Sequence, residues 1–177
     1  MTPSTSKTRT AAKVAGTKRE HAEKGFVASA TLRDSLQAVL VDLIELSLQG
    51  KQAHWNVLGP NFRDLHLQLD ELVGAARGFS DDVAERMRAL HATADGRSGV
   101  VTATSVLDEF PAGELRSTEV VDLITARIDA TVGTARRVHD DVDEADPTSA
   151  DLLHAIIERL EQLSWMISAE HRVPAKS

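Results

Sequence analysis

Apolar residues recur at three- and four-residue intervals along four long stretches of the chain, the spacing of helices that each bury one stripe. In the first stretch Leu32, Leu36, Val39, Leu40, Leu43 and Leu46 share a face, which predicts a helix from about Ser29 to Val57, ended by Gly59-Pro60. Proline cannot continue the ladder and restricts the residue before it. The second stretch starts near Asn61, a suitable N-cap, and carries Phe62, Leu65, Leu69, Leu72, Val73, Ala76, Val83, Met87 and Leu90 to about His91. Gly74 and Gly78 lie inside it. Each costs about 1 kcal/mol relative to alanine, so either the helix breaks there or the glycines let a second backbone come close. Residues 92–116 hold Gly96, Gly99, Pro111 and Gly113 and no long stripe, with room for a helical turn around Ser105–Phe110. The third helix, capped by Ser117 or Thr118, runs to about Asp143 on Val121, Ile124, Ile128, Ala135, Val138 and Val142. Pro147 opens the fourth, with Asp151 expected in its first turn and Leu152, Leu153, Ile156, Leu160, Leu163 and Ile167 buried. The pattern is that of an all-α four-helix bundle whose second and third helices are joined by a long crossover.

Composition narrows the chemistry. The chain has 177 residues, 42% of them hydrophobic, enough for one domain with a sizeable core. It has no cysteine, which excludes disulfides, Fe–S clusters and thiol nucleophiles. Aromatic content of 3% argues against a β-sandwich or barrel. No apolar run approaches the ~20 residues that span a bilayer, and no secretory signal is evident at the N-terminus. A cytoplasmic protein with no membrane partner is expected.

The charge is unevenly placed. Lys7, Arg9, Lys13, Lys18, Arg19 and Lys24 face only Glu20 and Glu23 within residues 1–25, so this segment carries +4 of a total −7 and leaves −11 for the rest. Without apolar periodicity it reads as a mobile tail. The expected division is a basic tail over 1–25, a bundle over 26–172 and a short C-terminal tail over 173–177.

On the second helix His66 and Asp70 form one i, i+4 pair, and Asp81 and Glu85 form another. Each pair faces one way. Asp70 and Asp81 are eleven residues apart, about 20° past three full turns, so both pairs share nearly one face. Yet they stand about 16 Å apart along the axis, too far for one ion or one close pair of ions. An antiparallel copy of the same helix would set the first pair of one chain against the second pair of the other. The two-fold axis would then pass near Ala75 and Ala76, between Gly74 and Gly78, where small residues permit close approach. A shell of imidazole and carboxylate without thiolate suits iron, manganese or zinc. On spacing alone, a metal site and an ordinary solvated helix face both stay open. His54 ends the first helix beside Trp55, which is expected in the core.

These residues sit in a longer pattern: His54-Trp55-Asn56-Val57-x-Gly59-Pro60-x-Phe62-x-x-x-His66-x-x-x-Asp70-Glu71, followed by Asp81-x-x-x-Glu85-Arg86. It resembles the signature of the Dps family, the DNA-binding proteins from starved cells. The likeness runs from about Leu32 to Glu170 and includes Asp151-Leu152-Leu153 and Trp165-Met166. The resemblance implies a ferritin-like bundle that assembles through two-fold dimers into a hollow homo-dodecamer. It implies ferroxidase ligands at His54, His66 and Asp70 of one subunit and Asp81 and Glu85 of its partner. Two irons per shared site would be oxidised there, preferably by hydrogen peroxide, and stored as ferric mineral. Neither haem nor nucleotide is implied.

In that family the corner between the third and fourth helices lines three-fold pores for cation entry. Glu144, Asp146 and Asp151 are the residues here that fit, although a solvated acidic loop or a helix cap would look the same. Asp151-x-x-His154 imitates half of a di-iron Glu-x-x-His motif but has no second copy. His21, His91, His139 and His171 read as surface residues. The tail cations could bind DNA phosphates without reading sequence, which would make the protein nucleoid-associated. A mainly architectural nucleoid protein with secondary iron chemistry is the competing reading, and an inert helical scaffold a third.

Overall fold

In the computed structural model, which describes residues 25–169, the four stripes become four long helices. Helix α1 spans Ala30–Asn56; the Ser29 hydroxyl caps it by accepting from the Leu32 N–H at 3.1 Å. Strand β1 is Val57–Leu58, and α2 spans Phe62–Ala89 without a break at Gly74 or Gly78. A short α3 covers Ser98–Thr104, and strand β2 is Leu115–Arg116. Helices α4, Ser117–Ala145, and α5, Pro147–Ser168, complete the bundle among the described residues. Contacts run α1–α2, α1–α4, α4–α5 and α2–α5, which closes the ring of a bundle. Leu36, Leu43, Leu46, Leu69, Leu72, Met87, Ile124, Ile128, Leu153 and Ile156 fill its centre with essentially no exposure. Each such side chain contributes about 1.5–3 kcal/mol by leaving water.

Several details differ from the sequence reading. Asn61 precedes α2 in the left-handed region, φ 58°, and makes no side-chain cap. The turn before it uses Gly59 at φ 118°, a conformation other residues rarely adopt. The short helix expected at Ser105–Phe110 lies earlier, at Ser98–Thr104. Ser105 ends it instead of starting it, because its hydroxyl donates to buried Asp42 at 2.8 Å, and the Val106 N–H joins the same carboxylate oxygen at 2.9 Å. Arg116 occupies the N-cap position of α4, one residue before the expected Ser117, and its N–H donates to the Glu119 carboxylate. Pro147 takes the first position of α5, which puts Asp151 beyond its first turn.

The crossover is held by polar side chains of α1. Gln37 donates to the Asp95 carbonyl and accepts from the Asp95 N–H, at 2.8 and 2.9 Å. Gln49 donates to the Asp108 carbonyl at 2.9 Å and accepts from Arg127 at 3.0 Å. The parallel pairing of Val57 with Leu115 and Leu58 with Arg116 ties the α1–α2 junction to the start of α4. A parallel pair requires a crossover between its strands, which α2 and the returning segment 90–114 together provide.

Candidate metal centre

The end of α1 and the first turns of α2 meet where Gly50 lies against Val73; a Cβ at Gly50 would stand 2.9 Å from Val73 Cγ2. This close packing brings His54 onto His66. The two rings stack with centroids 3.6 Å apart and an interplanar angle of 23°. His54 Nδ1 is 3.0 Å from the His66 carbonyl, and His66 Nδ1 is 3.0 Å from the His54 carbonyl. A carbonyl can only accept, so both Nδ1 atoms carry the proton and both Nε2 atoms keep a lone pair. The reciprocal bonds also use a carbonyl from the last turn of α1, which has few partners within its own helix.

Asp70 completes the cluster, with one ligand atom from each of His54, His66 and Asp70 lying within 4.8 Å of the others. Among the described residues this is the one such group of three. Lys51, one turn before His54, forms a hydrogen-bonded ion pair with Asp70. That bond, with the nearby His54, holds the Asp70 carboxyl below its usual range against a smaller opposing effect of desolvation. The carboxylate is therefore ionised at neutral pH, with a lysine that an incoming cation can displace. Lys51 was not singled out from sequence; its i, i+3 relation to His54 was the available signal.

Asp81 and Glu85 do not join this cluster within the chain. Both are exposed on α2, on the face that carries His66, Asp70, Gly74 and Gly78. These six positions fall within about 120° of helix surface. A Cβ built at Gly74 or Gly78 meets nothing within 4 Å. Ala76 points the other way, fully buried in the bundle, and Ala75 is partly packed against the core. The open stripe is therefore lined by the glycines, not by Ala76. Trp55, expected in the core, is 68% exposed, and Phe62 and Trp165 are also exposed. Phe62 flanks the centre, 5.2 Å from the His66 ring.

The acidic corner divides. Asp146 is nearly buried and paired with Arg86 at 2.6 Å and with the Ser149 hydroxyl. Burial alone would raise its carboxyl, but Ser149 and Arg86 outweigh that and hold it below the usual range. Glu144 and Asp151 are exposed. Lys7, Arg9, Lys13, Lys18, Arg19 and Lys24 lie outside the described residues.

A four-helix bundle with a long crossover and an imidazole–carboxylate cluster defines the ferritin-like class, and the ferritin-like domain model matches residues 33–173. The chain is 39% identical over 138 residues to DNA protection during starvation protein 2 of Deinococcus radiodurans, covering 76% of this chain and 56% of that protein. The chain thus spans little more than half the length of that relative. The crystal structure of Dps92 from Deinococcus radiodurans superposes with a TM-score of 0.78 at 34% identity, covering 81% of this chain and 88% of that one. Dps from Microbacterium arborescens in the high iron form gives 0.76 at 30% identity, covering 82% and 98%. The chain belongs to the Dps family of ferritin-like proteins.

Proposed function

We propose that this protein takes Fe(II) as a substrate, oxidises it at centres shared between two-fold-related subunits, and stores the ferric product inside a twelve-subunit shell. The observation that carries the reading is the His54–His66–Asp70 cluster with its two free Nε2 lone pairs. The exposed carboxylates Asp81 and Glu85 on the same face of α2 complete the proposed set. One subunit supplies His54, His66 and Asp70; the partner subunit's Asp81 and the partner subunit's Glu85 close the shell across the glycine stripe. Imidazoles hold Fe(II), and the hard carboxylate oxygens favour Fe(III). Two Fe(II) give one electron each to hydrogen peroxide, whose O–O bond breaks with uptake of two protons to yield two waters. Paired delivery avoids release of a hydroxyl radical. The iron form named for the Microbacterium relative supports iron as cargo.

Cations enter at the α4–α5 corner. Within the chain Asp146 is committed to Arg86, so the exposed Glu144 and Asp151 are the side chains proposed to attract them. Among the described residues no helix is long and apolar enough to cross a membrane. Sequence-independent DNA binding through the basic segment 1–25 is a second part of the proposal, supported by its charge and by the relative's name.

His66→Ala and Asp81→Ala should each lower the initial rate of Fe(II) oxidation at least about 100-fold, the scale at which lost active-site groups act. Oxidation is followed by ferric absorbance after addition of peroxide. A wild-type rate in either variant would remove that residue from the centre.

A further inference from the structure

A second pair of imidazoles meets on the opposite side of the bundle, where α4 packs on α5. His139, expected at the surface, is half-buried, and its Nε2 stands 2.6 Å from His154 Nε2, with ring centroids 4.6 Å apart. His139 Nδ1 lies 3.0 Å from the Asp140 carboxylate. That oxygen can only accept, so His139 carries its proton on Nδ1 and turns a lone pair toward His154. His154 Nδ1 faces Asp151 at 3.7 Å, an orientation that favours the same tautomer. Two imidazole lone pairs this close repel unless a positive centre lies between them. The separation is also shorter than ordinary N–H hydrogen bonds, which begin near 2.7 Å.

We propose that His139 and His154 bind a first-row divalent cation of the zinc or cobalt(II) type, at a site separate from the His54–His66–Asp70 cluster. Carboxylates behind ligating histidines fix the tautomer and raise ligand basicity, the arrangement Asp140 provides. Tetrahedral ligation at about 2.0–2.1 Å sets two nitrogens about 3.3 Å apart, so the rings part by about 0.7 Å, which the exposed His154 side chain accommodates. Both rings border an open cleft of about 540 Å³ that also holds Glu158, one turn along α5 from His154. Glu158 is exposed and can rotate in as a third ligand, with water as the fourth. Arg136, the cationic neighbour in the cleft, is neutralised by an ion pair with Glu161. An ion here would link α4 to α5.

The proposal does not rest on the ferroxidase reading, and its test separates the two. Cobalt(II) alone is titrated into the full-length protein and into His54→Ala/His66→Ala, in which the other cluster has lost its imidazoles. The double variant should still take up cobalt, giving the visible bands of a nitrogen-ligated ion. Adding His139→Ala or His154→Ala should abolish those bands, and Asp140→Asn should weaken binding about tenfold. Wild-type crystals soaked in cobalt should show an anomalous peak between the two Nε2 atoms, a readout that needs no variant. Cobalt uptake that is the same with and without His139 and His154, or soaked crystals with no peak there, would overturn the site and leave a proton shared by two histidines.

Discussion

Two neighbouring residues of α4 and α5 show how one carboxylate type serves different ends. Asp151 is open to solvent, whereas Asp146 is fixed by Arg86 and Ser149. Because the folded carboxyl of Asp146 lies below its unfolded value of about 3.9, its stabilisation is fully present above that value. It is lost as pH falls through the depressed folded value. Asp146→Asn should therefore lower stability at pH 7 by about 1.5–3 kcal/mol, the range for hydrogen bonds to a charged group. Melting curves of wild type and variant should converge at acid pH, below that depressed value. An equal gap at both pH values would mean that the ion pair contributes nothing. Sequence exposed the ligand types at His54, His66 and Asp70 but not the reciprocal histidine-to-carbonyl bonds, whose acceptors are main-chain atoms twelve residues away. Nor did it place Trp55, whose size suggested burial although its side chain faces outward.

At the scale of elements, periodicity located α1, α2, α4 and α5 to within a few residues because each buries one continuous stripe. The crossover was less legible. Its anchors are Gln37, Asp42 and Gln49, polar residues on α1 whose partners lie 58–64 residues further on, mostly as main-chain groups that leave no pattern. Ser105 resembled a helix start and is a helix end for the same reason. The small residues midway along α2 were read as a contact face, and the structure refines which of them are available: Gly74 and Gly78 are open, Ala76 is not. Gly78→Leu should leave the isolated chain folded, gaining up to about 1 kcal/mol of helix propensity. It should nevertheless weaken two-fold pairing by about 1–3 kcal/mol per contact through overpacking. Sedimentation velocity would report the loss of large assemblies. Assemblies indistinguishable from wild type would place the two-fold contact elsewhere.

For the whole molecule, the proposed division is a basic segment that engages DNA and an acidic body that handles iron. The body carries −11 per chain and should repel DNA, so binding must come through residues 1–25. One +4 segment binds weakly, but many on one shell gain through effective concentration. Assemblies lacking residues 1–25 should fail to shift duplex DNA in gels while oxidising Fe(II) at the wild-type rate. The intact protein should shift any sequence and lose binding steeply with salt. Intact assemblies that leave DNA unshifted even at low salt would restrict the protein to iron chemistry.

The central claim is that each centre is built from two chains, and hybrid assemblies test it most directly. His66→Ala and Asp81→Ala chains are unfolded together, mixed equally and reassembled. In a mixed pair one of the two centres receives both defects, and the other combines an intact His66 with an intact Asp81. Random pairing then restores roughly a quarter of all centres. Fe(II) oxidation in the mixture should accordingly recover to about a quarter of the wild-type rate, well above either variant reassembled alone. A mixture no more active than its two components would mean that His66 and Asp81 do not act across a subunit interface.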